Sequence, residues 1–284
     1  AERHVAALLP LIEEDNQLDV IGGTAGCLGA LLVHHETTGS PTALAAAKRC
    51  GERLLAKATN SSSGIGWLVP QMSTKPLSGF SHGNSGSTWA LLKLAARTHD
   101  DRFRKAALAG IDYERSLYSP GLGNWLDVRD LAFGKTFATP SQPQHAVAWC
   151  HGAPGIGLSR LLGLVNFDTP AVRNEIEVAL HTTLALGFGG APTLCHGDLG
   201  NIDVLLEAST ILESPLWRSE AERRADVALT GIKAEGWVCS APLGVESPGL
   251  MTGLAGIGFG LLRLADPARV PSVLSLAAPI KASR

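Results

Sequence analysis

The chain has 284 residues, 45% of them hydrophobic, and a formal net charge of −2. That length can bury a substantial core, and the near-neutral balance, with no basic face or tail, argues against nucleic acid as a partner. No uninterrupted apolar run reaches the roughly 18 residues of a membrane span, so no transmembrane segment is expected.

The start, AERHVAALLPLIEED, is a mixed-charge helical pattern and not a basic leader followed by an apolar region. Five cysteines suit a reducing cytoplasm better than a disulfide framework. Cys27, Cys50 and Cys239 read as small buried apolar residues. The first residue is Ala1 and not Met, so a processed piece or a segment of a longer protein is expected.

One unit then recurs along the chain. Its five copies are DVIGGTAGCLGALL from Asp19, GFSHGNSGSTWALLKL from Gly79, AWCHGAPGIGLSRLLGL from Ala148, TLCHGDLGNIDVLLEA from Thr193 and GLMTGLAGIGFGLLRL from Gly249. In each, a G-x-x-G turn runs into a Leu-rich segment, which predicts a tight turn opening an apolar helix. Between the copies lie more polar helical patterns. Pro41–Ala58 places Ala43, Leu44, Ala47, Leu54 and Leu55 on one side, and Asp101–Leu117, Thr169–Leu186 and Ser219–Lys233 look similar. Thr59–Ser78 and Ser119–Pro143, rich in Gly, Pro and Ser and holding Trp67 and Trp125, read as loops. Alternating strand patterns are scarce. The expectation is an all-α fold, with inner apolar and outer polar helices forming an α/α toroid in preference to an open solenoid.

Alignment on the first glycine of each turn puts Gly22, His82, His151, His196 and Thr252 just before it, and Ile21, Ser81, Cys150, Cys195 and Met251 one further back. In a ring these positions converge at one mouth, beside helix N-termini that favour thiolate over thiol. Cys150, Cys195 and His196 then offer two thiolates and one imidazole, leaving a tetrahedral position open as in catalytic zinc sites. Their spacing matches no local finger pattern, and two buried cysteines beside hydrogen-bonded histidines remain the alternative. His151 reads either as a fourth ligand or as a group facing the substrate. His82 lacks a neighbouring cysteine and is a candidate general acid or base. Asp19 orients His82 or takes part in proton transfer, or else caps the helix that follows it. His34, His35, His99 and His181 are expected at the surface, and His145 carries no assignment.

The motifs LDVIGGTAG, SGFSHGNSG, AWCHGAPGIGLSR, LCHGDLGN and SPGLMTGLAGIGFGLLRL, in this order, resemble the lanthionine synthetase C-like family. The resemblance is to the C-terminal cyclase domain of class II lanthipeptide synthetases, and RVPSVLSLAAP resembles the usual end of those proteins. It implies an α/α toroid around one zinc ion, with Cys150, Cys195 and His196 as ligands, His82 as acid/base and Asp19 as its acidic associate. It argues against His151 as a ligand. The implied reaction adds cysteine thiolates of a precursor peptide to dehydroalanine or dehydrobutyrine, forming lanthionine or methyllanthionine rings. The implied partners are that dehydrated peptide and an N-terminal dehydratase region of the same synthetase. Residues 1–284 would form the cyclase domain, with the first helical hairpin of the toroid missing before Asp19. Two other readings are a non-catalytic zinc scaffold that binds a thiol such as glutathione, and an α/α-barrel carbohydrate-active enzyme. The second needs paired carboxylates, where the turns here offer Cys and His.

Overall fold

A computed structural model describes residues 2–129, 145–241 and 245–279; residues 130–143 of the loop read over Ser119–Pro143 lie outside that range. The elements in chain order are α1 (Glu2–Glu14), α2 (Thr24–Thr38), α3 (Pro41–Lys57), β1 (Thr59–Ser61), β2 (Gly64–Gly66), α4 (Asn84–Thr98) and α5 (Asp101–Arg115). They continue as β3 (Tyr118–Ser119), β4 (Asn124–Trp125), α6 (Ala153–Gly163), α7 (Pro170–Leu186), α8 (Asp198–Ile211), α9 (Pro215–Glu235) and α10 (Leu254–Ala265). Each G-x-x-G turn opens one of α2, α4, α6, α8 and α10, and each of these packs on the next. Helices α3, α5, α7 and α9 each pack on the inner helix before them, and α1 packs on α3. The architecture is the expected α/α toroid. Helices α6 and α8 are buried on nearly every side, whereas α3 and α5 bury one face.

The two glycines of each turn do different work. The first is the N-cap of the inner helix, at Gly23, Gly83, Gly152, Gly197 and Gly253. The second leaves room for the incoming chain. A Cβ at Gly26, Gly86, Gly155, Gly200 or Gly256 would lie 1.7–2.2 Å from the carbonyl oxygen six residues earlier. The turn therefore folds flat against the first turn of its own helix.

The turns are also tied to one another. Val20 N–H donates to Ser81 O (3.0 Å), Ser81 N–H to Cys150 O (3.3 Å), Cys150 N–H to Cys195 O (3.3 Å) and Cys195 N–H to Met251 O (2.8 Å). These four bonds make a backbone girdle around one end of the toroid.

The outer helices start where their caps say. Ser40, Asp100 and Thr169 accept from Ala43, Arg102 and Val172 N–H, and Pro41 and Pro170 preset the first turn. Helix α9 begins at Pro215, one turn before the expected Ser219, because extended Ser214 followed by proline starts a helix at the proline. Two antiparallel hairpins form where loops were read: β1–β2 within Thr59–Ser78, and β3–β4 starting one residue before Ser119. Trp67 and Trp125 there are buried, and Trp67 Nε1–H donates to Leu54 O (2.8 Å). Cys50 and Cys239 are buried and Cys27 is half-buried, all three as free thiols. His35 corrects its expected surface place. It is buried, with Nδ1 2.8 Å from Ser40 O and Nε2 accepting from Arg97 (2.6 Å), so it joins the end of α2 to the start of α3.

Charges sit inside the toroid in two clusters. Glu114 and Arg160, both buried, pair at 2.9 Å, and Arg160 Nε–H also donates to Glu175 (2.7 Å). Glu114 further accepts from Gly79 N–H (3.0 Å) and from Ser85 Oγ–H (2.7 Å). It thereby pins the second turn to the outer layer. Removing one member of a buried pair strands the other's charge, at a cost of about 3–5 kcal/mol. Glu114→Gln, which keeps the shape but not the charge, is expected to lower the unfolding free energy by about that amount in urea titration.

In the second cluster Arg263 meets both Asp203 and Glu207. Burial, with the Asp203 charge beside it, pushes Glu207 up to about 7 in spite of Arg263. An acid raised in the folded state binds its proton more readily there than when unfolded. Its contribution is therefore full below about 4.5 and is lost as pH rises through about 7. Thermal stability of the protein is expected to fall across that window, and Glu207→Gln to flatten the fall by an amount on the order of 3 kcal/mol.

Candidate functional site

Cys150 and Cys195 are consecutive members of the girdle, so their side chains leave hydrogen-bonded neighbouring backbones. His196 follows Cys195 at the N-terminus of α8. One ligand atom from each of the three lies within 4.8 Å of the others. The cysteines are half-buried and His196 is exposed, so the cluster opens on the mouth. Two thiols and an imidazole gathered this closely could hold a soft divalent metal ion. The hydrogen bond to Cys195, with burial, holds the Cys150 thiol well above its ordinary value, while the bond from Cys150 lowers Cys195 and the one with His196 raises that imidazole.

One step along the girdle, His82 Nδ1 is 2.7 Å from Asp19 Oδ2. Asp19 is buried, and its other oxygen accepts from Gly22 N–H (2.8 Å). It therefore both braces its own turn and fixes the His82 ring. The first N–H of α2 is met instead by Asp15, which accepts from Thr24 N–H (2.8 Å) and from its hydroxyl (2.5 Å). With Nδ1 engaged, the Nε2 of His82 has no protein partner among the described residues.

His151 stands apart from the ligand cluster. It is buried, its Nδ1 lies 3.2 Å from Ser78 O, and its ring stacks on His82 with centroids 6.0 Å apart. Burial, reinforced by the Arg129 charge, pushes its pKa down to about 4. Phe80, packed between Trp89 and Trp149 with centroids 5.4 and 5.6 Å away, walls the interior behind the second and third turns.

Sequence reasoning missed Asp127 and Arg129, in the NWLDVRD stretch. Arg129 Nε lies 2.9 and 3.0 Å from the two Asp127 carboxylate oxygens. Against burial, this guanidinium holds the Asp127 carboxyl below its usual range. A two-residue separation in a loop has no periodicity to expose it. The available signal was an Asp-x-Arg pair next to a buried tryptophan, between the second and third turns.

A comparison with protein families matches the chain over residues 1–275 to the family described as lanthionine synthetase C-like protein. Among curated proteins, the lacticin 481/lactococcin biosynthesis protein LcnDR2 of Lactococcus lactis subsp. lactis is 26% identical over 200 residues, or 66% of this chain. The chain spans about a fifth of that relative's length, 20%. Among solved structures, nisin cyclase superposes with a TM-score of 0.70 at 18% identity, over 97% of this chain and 71% of the cyclase. A sugar epimerase from a ruminal bacterium shares the fold more loosely, with a TM-score of 0.56 at 10% identity over 76% of this chain and 61% of the epimerase. The family match over nearly the whole length, together with the toroid and its five girdled turns, places the chain in the lanthionine synthetase C-like family.

Proposed function

We propose that the protein is a zinc-dependent lanthipeptide cyclase, with Cys150, Cys195 and His196 as metal ligands, His82 as acid/base and Asp19 as its orienting partner. The observation that carries this reading is the meeting, at one mouth, of a two-thiol, one-imidazole cluster with a carboxylate-braced histidine. The donor set suits zinc, since two sulfurs and one nitrogen leave a fourth position for a substrate. A bound zinc ion supplies Lewis acidity that favours the thiolate form of a substrate cysteine.

The rest of the chemistry falls to the chain. The substrate is a precursor peptide carrying dehydroalanine or dehydrobutyrine, supplied by dehydration of serine or threonine in a further region of the same synthetase. The length of LcnDR2 relative to this chain supports that arrangement. In this reading residues 1–284 are the cyclase domain. As the cysteine sulfur bonds to the β-carbon, the alkene π pair moves toward the carbonyl and leaves an enolate. His82, its Nδ1 held by Asp19, delivers a proton from Nε2 to the α-carbon. The proton lost by the thiol is matched by the one gained at carbon, so the reaction is an addition without redox change.

Two measurements test this. Purified protein is expected to carry about one zinc ion, and Cys195→Ala to lose most of it by elemental analysis, with the fold intact by circular dichroism. Zinc affinity is expected to rise with pH, because the ligands must lose protons to bind. His82→Ala is expected to keep its zinc and lose about 100-fold or more in the rate of ring formation, followed as loss of free thiol in a dehydrated peptide. A metal-free wild type that consumes no thiol overturns the proposal, and an unimpaired His82→Ala overturns the acid/base role.

A further inference from the structure

The site just described has a proton donor and a ligand cluster but no assigned partner for the negative charge that builds on the substrate carbonyl oxygen. Residues 126–129 lie beside it. Ser78 Oγ–H donates to Leu126 O (2.8 Å) and Ser73 Oγ–H donates to Val128 O (2.7 Å), which lashes this segment to the loop that runs into the second turn. Ser78 is also the residue whose carbonyl faces His151 Nδ1, and the next residue, Gly79, lies against the third turn. Gly79 has φ +101°, and a Cβ there would sit 2.6 Å from Cys150 O and 2.7 Å from His151 Cα. The segment is thus held against the backbone that carries His82 on one side and Cys150 on the other.

Arg129 extends from the end of this segment and is exposed. Its Nε edge is clamped on Asp127, whose side chain is only 6% exposed, so a rigid and desolvated carboxylate aims the guanidinium. The opposite edge is free, since Nη1 has no protein partner among the described residues. A planar, permanently charged donor fixed in this way suits an oxygen that gains charge during reaction.

We propose that Arg129 is a catalytic residue whose free guanidinium edge hydrogen-bonds the carbonyl oxygen of the dehydroamino acid and stabilises its enolate. This rests on the cyclase reading above. As the S–Cβ bond forms, the π pair of the alkene shifts and its charge settles on that oxygen beside Arg129. The charge returns to carbon when the α-carbon takes its proton. No oxidant or further reactant is needed.

The test uses the purified, zinc-loaded protein and a synthetic peptide with one dehydroalanine and one downstream cysteine. A second version of the peptide, with that cysteine replaced by serine, reports binding by fluorescence anisotropy. Arg129→Met is expected to keep its zinc content and its affinity for the serine peptide while kcat for ring formation falls about 100-fold. Arg129→Lys, which restores charge without the fork, is expected to recover part of that loss. In D2O, exchange of the α-proton of the finished thioether, which requires the enolate, is expected to slow in parallel. Loss of zinc in Arg129→Met would make the residue a support of the metal site and overturn the proposal. A change confined to peptide affinity would make it an anchor, and unchanged kcat and exchange would remove it from the reaction; either result overturns the proposal. A wild-type protein that does not close the ring fails earlier, at the cyclase reading itself.

Discussion

The feature on which the rest depends is the backbone girdle formed by Val20, Ser81, Cys150, Cys195 and Met251. Each turn presents an N–H and a C=O that its own helix cannot use, and buried backbone groups of this kind must find partners. The neighbouring turn supplies them. A group needing satisfaction in one repeat is answered by the next, which fixes both the spacing of the inner helices and the register of the turns. Two cysteines 45 positions apart in sequence become hydrogen-bonded neighbours on these terms alone. Their proximity follows from how the turns pack and not from any local motif.

Flat turns make the girdle possible, and the second glycine of each G-x-x-G makes the turns flat. Any side chain there would collide with the chain's own carbonyl. Glu114 adds a strut from outside, joining α5 to Gly79 N–H, Ser85 and Arg160. Buried ion pairs contribute little net stability against apolar alternatives. The value of this one lies in where it holds the backbone, because Gly79 begins the turn that carries His82. Electrostatic structure in the outer layer in this way sets the position of a side chain at the mouth.

Much of this was legible in the sequence. The five turns, the alternation of apolar and polar helices and the gathering of His82, Asp19, Cys150, Cys195 and His196 at one end all follow from a repeat read in register. What the repeat does not encode was not legible. Glu114 and Arg160 show as charges near or within apolar segments, but their pairing across 46 residues depends on packing. Asp127 and Arg129 lie between repeats, where no period marks them. His35 looks polar beside His34, and its burial follows from the bend into α3. The β1–β2 and β3–β4 hairpins are too short to alternate, and the α9 start was set by a Ser-Pro step that outweighed the amphipathic pattern.

The girdle is made chiefly of main chain, with the buried Ser81 hydroxyl adding one bond to Cys150 O (3.3 Å). Val20, at the first copy, and Ser81 and Met251 hold the same place in the girdle as the two cysteines. The mouth is therefore a socket whose frame is set mainly by backbone, while its chemistry is set by the side chains that the frame carries. A fold shared with sugar epimerases at 10% identity is in keeping with such a division of labour. Divergence in a ring of this kind need only change what the socket holds, while the glycines keep its shape.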